Sequence, residues 1–371
     1  MSINRKQIIT ALAGLFIVSG AANALAADTN APVGAVYVLS NSAARNSVYV
    51  YDRFADGSLV IRANVPTGGL GTGGGLGSEG AVQLSPDKKW LVAANAGSDD
   101  VSLFQVRKSG LKLVSRFASR GDMPTSVTVF SNWIYVLNAG SSEIAGFQVQ
   151  EDGSVEAMGE TAPLSARNAG GAQVRFSPAG DMLVVTEKAT NAISTYGVDW
   201  SGRIMGRNVW QSSGPTPFGF AFGNRSQLFV AEANGGAAHA GTVSSYRTNE
   251  LNSAMPATAS LFTAQSAPCW TVTSPDGRLV YTANTPNDTI TGFRVGRDGT
   301  LSMVDASGVS AALPKGNVPV DMAISSDNRF LYVLTRGKQT ITSYEIMPSG
   351  KIRKLATTVG LPTSAFGLDG F

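Results

Sequence analysis

Two glutamates, Glu187 and Glu232, stand 45 residues apart at the same point of a recurring phrase whose other copies carry Ser40, Asn95, Asn138, Asn284 or Thr335 there. Two acids in place of neutral turn-formers suit general acid/base chemistry or cation binding. The alternative is that each accepts hydrogen bonds from loop amides or pairs with Lys188 or Arg175. Gln173 and Arg175 precede Glu187, Phe218 precedes Glu232, Trp270 precedes Asn284 and Asp321 precedes Thr335; with Asn138 they are the candidates for lining the same site. Strand alternation turns only every other residue toward one face, so part of this set belongs to the core. For Trp270, packing is the alternative to a substrate platform.

Other chemistries are harder to build. His239 is the only histidine and Cys269 the only cysteine, so no internal disulfide can form, and a Ser-His-Asp hydrolase or a multi-histidine zinc site is nearly excluded. His239 lies in a Gly/Ala-rich turn and reads as a solvated loop residue or a single proton shuttle. Gly69-Leu-Gly71-Thr-Gly73-Gly74 matches G-x-G-x-x-G literally, but more glycine and then a strand follow it. A dinucleotide site needs a helix there. The segment reads as a long blade-to-blade loop near a central channel.

The elements that must position these residues repeat seven times. Phrases such as Trp90-Leu-Val-Ala-Ala-Asn95, Ile134-Tyr-Val-Leu-Asn138 and Leu331-Tyr-Val-Leu-Thr335 end 43 to 55 residues apart. After most comes a turn of about five residues and a second alternating run, such as Ile144-Ala-Gly-Phe-Gln-Val149. A further run precedes the phrase through turns such as Ser274-Pro-Asp-Gly277, and a fourth follows turns such as Arg297-Asp-Gly299. Four antiparallel strands per repeat make a blade, so the fold expected is an all-β, seven-bladed β-propeller forming a single domain over residues 27–371. The first repeat lacks its opening strand, while Pro362-Thr-Ser-Ala-Phe-Gly-Leu368 is surplus at the other end. The C-terminus is expected to supply the inner strand of the first blade and close the ring.

Residues 1–26 carry a basic start at Arg5 and Lys6, an apolar run and the tripeptide Ala24-Leu-Ala26, the parts of a secretory signal peptide. The run is too short to span a bilayer, and a periplasmic or secreted product is expected. Of the 29 Lys and Arg, two fall in this leader, where none of the 26 Asp and Glu lies, so the remaining chain is almost balanced. Without a basic block there is no electrostatic case for nucleic acid or for an anionic membrane surface.

From about Val36 to Phe371 the chain resembles the seven-bladed propeller lactonase family, which includes propeller-type 6-phosphogluconolactonases and carboxymuconate cyclases. The resemblance rests on the glycine-rich residues 68–80, Val185-Thr-Glu-Lys-Ala-Thr-Asn191, Pro215-Thr-Pro-Phe-Gly-Phe220, Ala267-Pro-Cys-Trp270 and Gly360-Leu-Pro-Thr-Ser364. It implies an exported hydrolase opening a small, sugar-derived lactone, with Glu187 as general base, Arg175 stabilising the oxyanion and Glu232 orienting water or protonating the leaving oxygen. The histidine that cytosolic members carry at the start of an inner strand has no counterpart, the matching stretches reading Ser78-Glu-Gly80, Pro124-Thr-Ser126 and Pro319-Val-Asp321. That departure argues against phosphogluconolactone. It favours the alternative, a non-catalytic propeller that binds a protein or glycan partner. No cofactor is expected on the first reading; a third holds a calcium ion between Glu187 and Glu232.

Overall fold

Alternating apolar and polar residues bounded by Pro, Asp and Gly turns form strands, and antiparallel pairing of consecutive strands builds each repeat into its own sheet. The structure, a computed structural model, describes residues 31–224, 226–247 and 255–371, so the expected leader lies outside the described residues. Among the described residues seven sheets are present, six of them with their strands in chain order from channel to rim and the first with the last strand of the chain innermost. The second blade, for example, runs Val82–Leu84, Trp90–Asn95, Asp100–Arg107 and Gly110–Ala118. In the third and sixth blades the rim strand is interrupted, into Val155–Ala157 and Ala162–Pro163 and into Leu301–Met303 and Ala311–Ala312. No helix among the described residues is long and apolar enough to cross a membrane.

The second strand of each blade is the most buried and carries the core: Leu91, Val136, Val184, Val230 and Val333 have no exposed surface. Tyrosines on these strands peg one blade to the next. The hydroxyl of Tyr135 donates to Gly202 O at 2.8 Å, Tyr281 to Gly350 O at 2.8 Å and Tyr332 to Gly57 O at 3.3 Å. Each acceptor is a glycine at positive φ in the outer hairpin turn of the following blade, a conformation that costs glycine nothing. The last peg joins the seventh blade to the first.

The C-terminus closes the ring as expected, with one correction. Leu368–Gly370 is the inner strand of the first blade, antiparallel to Gly34–Leu39. The surplus segment expected to form that strand ends where the strand begins. Pro362 does not occupy the place of Pro124: Ser126 faces Leu137 in the third blade, whereas in the first the equivalent Leu39 is bonded by Phe366 N–H and Gly367 O. The left-handed Gly367 (φ 98°) makes the irregular step. Ending the chain after Leu361 should lower the melting temperature by roughly 10 °C or more, the effect of losing several kcal/mol in a domain of this size. A thermal melt checks this, and an unchanged midpoint would show that the strand is dispensable.

Candidate functional site

The inner strands pair outward only, so strand register decides which residues face the channel. Two rings of seven result. In the ring nearer the blade-to-blade loops, Ser126, Gln173, Trp270 and Asp321 each pair with the penultimate residue of their second strand. Two residues further along, about 6.6 Å, the second ring pairs with residues three before the strand end: Gln83, Thr128, Arg175, Ala221, Val272, Ala323 and Asp369. All seven line one cavity of about 310 Å³, which also reaches Glu79 and Asp321. Pro86 and Pro178 of the inner hairpin turns lie at its edge, so it opens on the face opposite the glycine-rich loop.

That loop closes the other mouth. Glu79 N–H donates to Ala172 O at 2.9 Å, the Lys188 ammonium donates to Gly77 O, and Leu76 is buried. Lys188 also lies 5.0 Å from the centre of the Phe218 ring, and Phe218 and Phe366 pack on Trp270 at 5.4 and 5.6 Å. This lid carries Glu79 into the channel. Gly219 makes the room, since a β-carbon there would overlap Glu79 Oε2. Glu79 Oε2 accepts the Thr271 N–H at 3.2 Å, while Oε1 takes no hydrogen bond from the described residues.

The channel-side carboxyls have a structural origin. An inner strand has no ladder partner on its channel edge, and the preceding blade supplies acceptors. Val174 N–H donates to Ser126 Oγ, Phe176 N–H to Thr128 Oγ1, Phe220 N–H to Gln173 Oε1, Leu368 N–H to Asp321 Oδ2 and Leu84 N–H to Asp369 Oδ2, at 2.6 to 3.2 Å. Between the fifth and sixth blades Gly219 has no side chain to offer, and Glu79 takes its place.

Burial has electrostatic consequences. Desolvation, reinforced by the charge of Asp321 and opposed by Arg175, pushes the Glu79 carboxyl well above its ordinary range. Asp321 is raised to about 8, chiefly by desolvation, against the bonds from Met322 and Leu368 N–H. Asp369 is raised for the same first reason. Arg175 is the counter-charge to all three. Among the described residues no ion pair within 4.0 Å and no hydrogen bond holds its guanidinium, which lines the cavity.

The residues expected from sequence are divided by this geometry. Arg175 and Asp321 come together in the cavity, and Gln173 sits in the adjoining ring as an inner-edge acceptor. Phe218 and Trp270 lie on the lid side, the Trp270 indole N–H buried without a partner. Glu187 is not near Arg175: it pairs with Gly171, four residues back along the strand, about 13 Å. It has no exposed surface and accepts from Ser165 N–H, the Ser165 and Thr190 hydroxyls and Ser194 Oγ. Glu232, equally buried, accepts from Gly214 N–H and from Ser212, Thr242, Ser244 and Ser260. The two share no donor, and neither pairs with Lys188 or Arg175. The Asn138 amide does the same work more weakly, donating to Ser119 O at 3.0 Å. His239 is exposed, its Nδ1 3.1 Å from Ala264 O. Among the described residues no group of three or more His, Cys, Asp and Glu is placed to hold a metal ion. Sequence reasoning misses Glu79 because it lies in a loop; the available signal is Gly219, one of two glycines with Gly367 in the ring nearer the loops.

Two outcomes follow for stability. A carboxyl raised from 3.8 to about 8 by folding keeps a proton that the unfolded chain has released, so its contribution declines as pH rises through that window. The advantage in melting temperature of the parent over Asp321→Asn should therefore shrink between pH 5 and pH 9, and a constant difference would contradict the assignment. Glu232→Gln turns an amide toward hydroxyl and N–H donors and should cost about 1–3 kcal/mol in urea unfolding.

Comparison with known proteins agrees with this architecture. Residues 37–272 and 238–365 match the family described as "Lactonase, 7-bladed beta-propeller". No curated protein gives a significant sequence match. Among solved structures, a candidate 6-phosphogluconolactonase from Bacteroides fragilis superposes with a TM-score of 0.70 at 17% identity, over 91% of this chain and 98% of that one. A second such protein, from Bacteroides uniformis, gives 0.73 at 17% identity, over 90% and 98%. The periplasmic gluconolactonase of Pseudomonas aeruginosa gives 0.65 at 17% identity, over 91% and 98%. At such identities these likenesses speak for the fold; with the family match spanning nearly all of the propeller, the chain belongs to the seven-bladed β-propeller lactonase family.

Proposed function

We propose that the protein hydrolyses a small lactone in the channel cavity. The observation that carries this reading is the unpaired Arg175 guanidinium facing buried carboxyls in a chamber closed at one end. A lactone carbonyl hydrogen-bonded to Arg175 gains its greatest stabilisation when the oxygen becomes an oxyanion. Glu79, with one oxygen anchored and the other free, takes the proton of the attacking water. The carbon–oxygen bond to water forms, the ring carbon–oxygen bond breaks, and Glu79 returns the proton to the departing alkoxide. The product hydroxy acid then ionises.

Glu79 must be ionised to act as base, and its carboxyl is raised by burial, so kcat/KM should climb with pH well above the usual carboxylate range. Glu79→Gln should lower kcat roughly 100-fold or more, the scale of general-base catalysis. Arg175→Met should fall by a similar factor, as for removal of an oxyanion donor. Purified protein assayed against aldonolactones and simple δ-lactones, after subtraction of spontaneous hydrolysis, checks both. Glu187→Gln is the comparison: turnover lost there and kept in Glu79→Gln would move the chemistry to the opposite mouth.

A further inference from the structure

The seven residues of the cavity ring are not mixed at random around the channel. Asp369, Gln83, Thr128 and Arg175 come from the first four blades in succession and form one continuous polar arc. Ala221, Val272 and Ala323 come from the remaining three and offer only methyl groups. The apolar arc is also the side with the shorter side chains, so the free space lies against hydrocarbon. Toward the open mouth Ile324 and Phe222 also line the cavity, with Thr273 at the equivalent position of the blade between them.

The charge balance is as lopsided as the shape. Three carboxyls, Glu79, Asp321 and Asp369, meet a single cation. A phosphate dianion in this chamber would find one cation, Arg175, and no second among the lining residues, leaving part of its charge buried without a counter-charge. A ring hydroxyl turned toward Val272 or the two alanines would lose its hydrogen bonds to water and gain none.

Accepting the lactonase reading, we infer that the substrate is an uncharged, two-faced lactone. Its ester and any hydroxyls lie along the arc from Asp369 to Arg175, and an alkyl face or arm lies against Ala221, Val272 and Ala323. The class is a lactone with a hydrocarbon substituent, not a phosphorylated or fully hydroxylated sugar lactone.

The test compares δ-hexanolactone, glucono-δ-lactone and 6-phosphoglucono-δ-lactone as substrates. It also measures calorimetric binding of the matching lactams, 6-methylpiperidin-2-one and gluconolactam, which are not hydrolysed. The expected kcat/KM for the alkyl lactone exceeds that for gluconolactone roughly 10-fold and that for the phosphorylated lactone roughly 100-fold, the range over which pocket contacts discriminate. Val272→Thr keeps the shape and adds a hydroxyl to the apolar arc, and it should cut the ratio of alkyl-lactone to gluconolactone kcat/KM roughly 10-fold. Ala323→Ser probes the same arc should Val272→Thr fold poorly. Equal or faster turnover of the phosphorylated lactone, or an unchanged preference in both variants, overturns the inference. If no lactone is turned over, the lactonase reading fails by itself. Tighter binding of the alkyl lactam would then still support the two-faced cavity, whereas a reversed or absent lactam preference would end it.

Discussion

A propeller's inner strands each present an edge of backbone N–H groups to the channel, and those groups are buried once the ring closes. Leaving one unmet costs about 1–3 kcal/mol. In this protein the donors that are met take a side-chain acceptor from the preceding blade, the lid loop or the preceding residue: Ser126, Thr128, Gln173, Asp321, Asp369 and Glu79. Where the preceding ring residue cannot accept, as at Ala81, Gly219 and Trp270, another group steps in. Gly80 O receives Val127 N–H, Glu79 receives Thr271 N–H, and Asp321 receives the N–H of Met322 next to it.

The polar character of the cavity follows from that requirement. A carboxyl recruited as an inner-edge acceptor is buried by its task, and burial without a touching cation raises its proton affinity. One oxygen anchored to backbone and one left to the cavity is the arrangement that makes Glu79 both a structural acceptor and a group able to exchange a proton. The glycine-rich lid belongs to the same economy of space. Gly219 leaves the space that Glu79 fills, and buried Leu76 and the Lys188 contact to Gly77 hold the lid there.

The two glutamates that break the repeat show how an outlying residue can answer a structural demand. At the end of the second strand every blade must tie its second strand to the third and to the incoming loop. Asn95 does so through Asp100 and Ser102, and Thr335 through Thr340. Glu187 and Glu232 do it with four and five donors, because their blades surround that point with serine and threonine hydroxyls. The acid is matched to its donors, and those donors lie 7 to 28 residues away in sequence for all but Thr190.

Read alone, the sequence determined the blade count, the four strands of each blade, the closure of the first blade by the C-terminus and the membership of Arg175 and Asp321 in a channel-facing set. These depend on period-two alternation and turn residues, which are local, and on repetition, which lets one blade calibrate another. The tertiary structure decided which mouth is open, that Arg175 and Glu187 lie at opposite ends of a strand, and that Glu79 joins the cavity from a loop. It also decided that the ring from Gln83 to Asp369 is polar over four blades and apolar over three. Those facts depend on bulge-corrected register and on contacts between residues as distant as Glu79 and Thr271, 192 positions apart, which no local pattern encodes.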